Sequence, residues 1–382
     1  MIRSRRVTGL ALIAVLATVA GVMAATAVAG VKRQHADFNL KMGYVTGRAH
    51  PYGLSMEQYK RLVETASNGR VAITLTPVYA GGDDIVLMND VNKGTQDGAA
   101  ISIAVLPNGN INNLIPLQLP FLVDSYELEG RLITNSSGIA RTMLRGIERN
   151  SNLTPVGLFE GGMRHFVLKD KYVDSLDDLK GVSMRTVQAP HMSDTFKRLG
   201  ANPNPLPVSD VAASLRSGLV TGAEANSGLI RVFGWNTAGA NRVSVVNIFP
   251  FPAVVVFRKE VFAALPADIQ TILRDSANDL AAFSLTTGAA GNTTTFPGLL
   301  CAAAGGAAVR YQVVPPAVRN QMAALTKTVI KKYTTGRYRN LAPVVAAINR
   351  QKARIKNPKP VDTPPASCID GAQNARFLTA AP

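Results

Sequence analysis

Ser175-Leu176-Asp177-Asp178-Leu179-Lys180-Gly181-Val182-Ser183-Met184-Arg185 holds a helix start, a stop and a strand in one short run. Ser175 is placed to cap a short helix, with Asp178 three residues on as its capping-box partner. Gly181 closes the turn. From Val182 to Val187 the chain reads as a strand: Val182, Met184 and Thr186 share one face, Ser183 and Arg185 the other. Met192, Phe196 and Leu199 then fall at helical spacing, and Gly200 stops them. A strand set between helical segments is the grammar of an α/β fold.

The same grammar extends in both directions. Phe38 to Val45 reads as extended, and Ser55 is expected to cap a helix through Met56, Tyr59, Leu62, Val63 and Ala66, ended by Gly69. Val71, Ile73 and Leu75 alternate into a strand that stops at Pro77. Asp97 to Leu106 is an apolar strand candidate, and Gly81-Gly82 and Pro107-Asn108-Gly109 are turn signals. Val156–Phe159 and Arg164–Lys169 read as strands. Ser209 is expected to cap a helix with Val211 and Leu215 inward and Gly218 at its end. Asn247 to Arg258 reads as an extended crossing through Phe249-Pro250-Phe251-Pro252. Leu265-Pro266 precedes a long helix through Ile269, Ile272, Leu273, Ala277, Leu280 and Ala281. From Lys356 the chain is Pro-rich and reads as extended or disordered. No repeat of fixed period is present.

The whole chain bounds its class. Its 382 residues suffice for two lobes, and 47% hydrophobic with 17% charged residues fits a globular core. Arg3, Arg5 and Arg6 precede an uncharged run from Val7 to Val28, and Ala27-Val28-Ala29 offers a small-residue cleavage site. Residues 1–29 are therefore read as a signal peptide and the mature protein as periplasmic; the competing reading is a retained membrane anchor. Ser4-Arg5-Arg6 is a weak match to twin-arginine export. Cys301 and Cys368 permit one disulfide or two unpaired thiols. His35, His50, His165 and His191 are scattered and form no metal signature.

The formal charge is +16, which invites a nucleic-acid reading. Export and the lack of any nucleic-acid motif argue against it. The charge is uneven: Leu280 to Val361 has no Asp or Glu, yet carries Arg310, Arg319, Lys327, Lys331, Lys332, Arg337, Arg339, Arg350, Lys352, Arg354, Lys356 and Lys359. Such a run is either a solvated face or a contact for an anionic surface.

Enzyme motifs are missing. There is no Gly-rich phosphate loop, no G-x-S-x-G elbow and no H-E-x-x-H. Asp83-Asp84 and Asp177-Asp178 are adjacent, so their side chains diverge; they read as turn and helix-start residues. No cofactor is expected and no residue is assigned a catalytic role. Two alternatives stay open: an exported enzyme using His165 or Glu160 near Arg164, and a carrier that presents its solute to a sensor.

The ordered motifs resemble the solute-binding proteins of tripartite ATP-independent periplasmic (TRAP) transporters. The resemblance runs from about Leu40 to about Asp279. Gly43-Tyr44-Val45 with His50-Pro51-Tyr52, Asn68-Gly69-Arg70-Val71, Gly81-Gly82 and Leu119-Pro120-Phe121-Leu122 carry its first part. Gly161-Gly162-Met163-Arg164-His165-Phe166, the Ser175–Arg185 block, Leu199-Gly200-Ala201-Asn202-Pro203 and Gly222-Ala223-Glu224 carry the rest. The resemblance implies a two-lobed α/β trap with crossing strands and a long connecting helix, binding a small organic carboxylate for an ion-driven permease. It implies no enzymatic activity.

It also implies site residues. The family arginine that grips the carboxylate falls on Arg185, and an assisting one on Arg164. A family asparagine falls near Asn226, one place late after Glu224. His50, Tyr52, Phe121 and Phe249 are further candidates for the cleft wall, as is Phe251. On the residues alone, Arg185 has a second reading as the partner of an acid in its own lobe. The expected lobes are 31–157 plus 249–285 and 158–248 plus 286–345. Residues 346–382 are expected to be a basic tail, outside the resemblance.

Overall fold

The computed structural model describes residues 36–356 and 361–370, so the expected signal peptide lies outside them. Eleven strands are described: β1 Phe38–Gly43, β2 Val71–Thr76, β3 Gly98–Ser102, β4 Leu153–Glu160, β5 Arg164–Lys169 and β6 Ser183–Thr186. They continue with β7 Asn202–Pro205, β8 Gly222–Ala225, β9 Ala240–Phe249, β10 Pro252–Arg258 and β11 Arg310–Val313. They form two sheets, ordered β2-β1-β3-β10-β4 and β11-β9-β5-β8-β6-β7. The fold is α/β and two-lobed, one sheet to each lobe.

The lobes are joined by a pair of chain crossings. β4 leaves the first sheet and re-enters the second as β5 after three residues; β9 and β10 make the return trip through Pro250 and Phe251. The two crossings run side by side. Glu160 pairs with Pro252 in one sheet, Arg164 with Phe249 in the other, and the Gly161 amide donates to the Phe251 carbonyl between them at 3.1 Å. Gly162 sits there at φ +120°, where a Cβ would come within 2.9 Å of the Asn226 amide nitrogen. Only glycine fits so tight a left-handed position. The long helix Ala267–Ala290 packs on β4, with Gly157 in contact with Ala277, and its Ser284 hydroxyl accepts the Glu160 amide at 2.9 Å.

Central strands are apolar because both faces are covered. Every residue of β3 and β4 is buried, as are Pro252 to Phe257 of β10.

Four local expectations are corrected. Ser55 does not cap the first helix: Pro51–Ala66 starts earlier, capped by His50, whose Nδ1 accepts the Tyr52 amide, and Ser55 bonds back to the Pro51 carbonyl. Pro51 at the first helical position explains the early start, since its missing N–H costs nothing there. Ser209 caps nothing: Val211–Ser217 follows a 3₁₀ turn directly, and the Ser209 hydroxyl bonds Asp210. The strand expected over Asp97–Leu106 ends at Ser102, whose hydroxyl accepts the Ala104 amide and turns the chain into a 3₁₀ segment, Ile103–Gly109.

The tail is the fourth. A helix, Ala342–Lys352, runs through its expected start because Val345 and Ile348 bury one face. Further on, Asp362 is buried, accepting from Asn247 Nδ2 at 3.1 Å and Asn292 Nδ2 at 3.0 Å. Cys368 is bonded to Cys301, with Cα atoms 5.5 Å apart, and Ile369 bridges to Tyr311 of β11. This bond closes a chain separation of 67 residues, a length at which cross-linking the unfolded chain stabilises a fold by about 2–4 kcal/mol. Urea unfolding of a Cys301→Ser/Cys368→Ser variant is expected to show a loss of that order. An unchanged midpoint would contradict the stapling role.

A two-arginine crevice between the sheets

Three strands of the second lobe bring three charges together. β5 begins with Arg164, β6 carries Arg185, and β8, which lies between them, carries Glu224. All three are buried. Arg164 Nη1 donates to Glu224 Oε2, and Arg185 Nη1 reaches Glu224 Oε1 at 3.4 Å. The Val187 amide donates to the same oxygen at 3.0 Å. Arg185 is pinned from a second side, its Nε and Nη2 donating to the Leu206 carbonyl at 3.1 and 2.8 Å.

Cation–π contacts complete the setting. The Arg164 guanidinium lies 4.1 Å from the centre of the Phe251 ring, and Arg185 lies 5.8 Å from that of Trp235. Burial lowers the Arg185 pKa to about 10; Glu224 opposes this, and Arg164 adds to it as a like charge. Arg185 therefore keeps its proton at neutral pH, and two guanidiniums with one carboxylate give the trio a formal charge of +1.

The crevice they face is lined from both lobes. Val45, Thr46, Asp84, Ser102 and Val105 stand on the first-lobe side; Arg164, Arg185, Val187, Leu206 and Leu229 on the second. Phe251, on the crossing, also lines it. The space along this lining is about 400 Å³.

Two polar groups here lack a partner among the described residues: Thr46 Oγ1 from the first lobe and Arg164 Nε from the second. Asp84 is buried, and its Oδ1 accepts the Ser102 amide at 3.0 Å. Burial pushes its carboxyl up to about 7; the Ser102 hydrogen bond and the two arginines pull the other way, and Asp83 adds to the rise.

The other sequence candidates sit elsewhere. Asn226 caps the helix Ser227–Val232, accepting the Leu229 amide at 2.9 Å, and its Nδ2 donates to the Gly161 carbonyl at 2.9 Å. Its Oδ1 also meets His50 Nε2 at 3.0 Å, a hydrogen bond between the lobes. Tyr52 packs behind Phe251, ring centres 5.7 Å apart. His50, Tyr52 and Asn226 thus back the crevice without lining it. Phe121 lies under the C-terminal helix: its carbonyl takes Lys352 Nζ at 2.7 Å and its ring faces Arg319 at 5.2 Å. Phe249 packs against Phe196 in the core.

The sequence reading gave Asp84, with Asp83, a turn or helix-start role, and missed its place in the crevice. Asp83 does cap the helix Asp84–Lys93. Asp84, however, shares a buried face with Leu87, Met88 and Val91, a spacing of three, four and seven that was legible. Thr46 carried no such signal.

The model of bacterial extracellular solute-binding proteins, family 7, matches residues 42–335. The chain belongs to this family of TRAP-type solute-binding proteins. A solute-binding protein of Roseobacter denitrificans is 26% identical over 223 residues, 56% of this chain and 66% of that relative. A sugar-acid binding protein of Advenella mimigardefordensis, solved with galactonate, is 20% identical with a TM-score of 0.73, covering 82% of this chain and 98% of that one. A TRAP solute-binding protein of Shewanella oneidensis, solved with succinate, is 19% identical at the same TM-score, covering 82% and 99%.

The buried histidines set an acid limit. Burial lowers His50 to about 4, opposed by the Asn226 hydrogen bond and reinforced by Arg164; burial likewise lowers His191 to about 4. Between about pH 6.5 and 4 the unfolded chain therefore binds more protons at these sites than the folded one. Their contribution to stability falls as pH drops through that window. Asp84 acts oppositely, holding its proton in the folded chain up to about pH 7. His50→Asn keeps a capping side chain and removes one titrating group. Urea unfolding is expected to show about 2 kcal/mol less stability loss from pH 7 to pH 5 in this variant. An identical pH slope would contradict the assignment.

Proposed function

We propose that this solute-binding protein captures a small organic carboxylate in the periplasm and hands it to a TRAP-type permease. The observation that carries the reading is the buried Arg164–Glu224–Arg185 trio facing a crevice between two lobes joined by crossing strands. Glu224 offsets one of two adjacent positive charges, and the surplus charge suits one carboxylate. A guanidinium presents five donors in a plane. Arg185 spends three on Leu206 and Glu224, which leaves donors for a ligand.

Delivery implies opening and closing about the crossing at Gly161-Gly162 and Pro250-Phe251. Residues 1–29 act as a cleaved signal in this reading. Among the described residues no helix is long and apolar enough to cross a membrane.

The site is read as non-catalytic. His165 and Glu160, which an enzyme would need, are committed to the hinge: His165 Nδ1 faces the Val246 and Asn247 amides at 3.4 Å, and Glu160 Oε1 accepts from Gly162 and Phe251. The basic C-terminal region is proposed to contact an anionic surface near the permease. Its charge is partly spent inside the protein, since Arg319 and Lys352 pair with Asp124, and Lys332 with Asp194. Binding to anionic vesicles that does not weaken with salt would remove that contact.

Calorimetric titration of the mature protein with small organic acids tests the main reading. Arg185→Ala is expected to weaken acid binding by about 2–5 kcal/mol, the cost of removing one partner of a buried charge pair. Wild-type affinity in that variant would contradict it.

A further inference from the structure

The C-terminal segment 361–370 lies beyond residues 42–335, which the family model matches, yet it reaches the point where the lobes join. Resting on the opening and closing proposed above, we infer that Asp362 is a positioning residue for the crossing between the lobes, and that the Cys301–Cys368 bond holds it there. The segment thereby sets how readily the crossing loosens.

Asp362 serves both crossings. On the β9 side it forms a reciprocal pair with Asn247: Asn247 Nδ2 donates to Asp362 Oδ1 at 3.1 Å, and the Asp362 amide donates to Asn247 Oδ1 at 3.3 Å. Asn247 stands at φ +46° in an irregular stretch of β9, where the pairing with β5 jumps from Phe166–Ser244 to Arg164–Phe249. Such a bulge bends a strand, and a left-handed residue inside it persists only when its surroundings hold it. On the β5 side, Asn292 Nδ2 donates to Asp362 Oδ2 at 3.0 Å and to the carbonyl of Met163, between β4 and β5, at 2.7 Å. His165 Nε2 lies 3.6 Å from the same carboxylate oxygen. Asn247 Nδ2 also reaches the Asp124 carbonyl of the first lobe at 3.2 Å.

These partners call for a group that only accepts. Both asparagines turn N–H groups to Asp362, and an ionised carboxylate accepts at each oxygen. An asparagine in its place would offer one oxygen and set an NH₂ against a donor. Asp362, Asn247 and Asn292 are all buried, so a bond lost here leaves a polar group unpaired, at a cost in free energy. The tether lies six residues on. Cys368 is buried and bonded to Cys301, which ends the helix Phe296–Cys301, and the Asp370 amide donates to the Tyr311 carbonyl of β11 at 3.1 Å. Fixing the chain at Cys368 keeps Asp362 at a high effective concentration beside its partners.

Hydrogen exchange of the mature full chain, followed by mass spectrometry without added solute, is the test, with small-angle X-ray scattering beside it. Local opening of a segment speeds its own amides, whereas a loss of global stability speeds all slow amides together. Asp362→Asn is expected to speed peptides over 161–166 and 246–251 at least tenfold more than peptides over β1 and β3, and to enlarge the radius of gyration. Cys301→Ser/Cys368→Ser is expected to act in the same way. Adding Asp362→Asn to it is expected to speed the crossing by less than the product of the two separate factors, because both act through one docked segment. Wild-type protein treated with dithiothreitol gives the comparison without a substitution, should a variant not fold. Crossing peptides that keep their wild-type ratio to β1 and β3 in folded Asp362→Asn overturn this inference alone. Factors that multiply in full overturn the role given to the disulfide. A loosened crossing with unchanged scattering overturns the proposed opening about it, and the inference with it.

Discussion

Two guanidiniums cannot be buried side by side without a counter-charge, and in this protein Glu224 supplies it to both. Taking ions out of water costs several kcal/mol each unless their partners are well placed. Glu224 answers this by giving one oxygen to Arg164 and the other to Arg185, with the Val187 amide donating as well. β8 lies between β5 and β6, so one strand can serve both. The bridge is deliberately incomplete in charge. It leaves a formal charge of +1 facing a crevice between lobes, the feature on which the proposed binding of a carboxylate rests.

That arrangement reconciles two readings that the sequence left in competition. Arg185 is both tied to an acid of its own lobe and aimed at the crevice. The acid positions the guanidinium, and the Leu206 carbonyl fixes its plane. A freely rotating arginine would lose more side-chain entropy on gripping a solute.

Much of the fold was legible because it follows from local rules. The capping box at Ser175 and Asp178 is present, and β5 runs from Arg164 to Lys169, the bounds read from the sequence. The crossing at Phe249–Pro252 and the long helix after Pro266 were likewise readable from proline placement and periodicity. The site was legible in part. Arg164 and Arg185, the two arginines that the family resemblance singled out, lie together on Glu224, a meeting that the sequence did not show, whereas Phe121 and Phe249 face other parts of the core. Large apolar residues on connecting segments carry no mark of which cavity they line, since that depends on how distant strands pack. The partners of the tail were hidden for a related reason. Its composition is that of a loose segment, but Asp362 and Cys368 find partners distant in sequence: Asn247 and Asn292, and Cys301.

The hinge ties these parts together. His50 from the first lobe, Asn226 from the second and Gly161 on the crossing are joined through the Asn226 side chain alone. The central claim is that a carboxylate sits on Arg185 inside the crevice between the lobes. A crystal structure of the mature protein grown with its tightest-binding organic acid tests it most directly. The account predicts carboxylate oxygens within hydrogen-bond distance of the Arg185 guanidinium, with Glu224 still bridging the two arginines. An acid bound outside the crevice, with Arg185 contacting only Glu224 and Leu206, would contradict it.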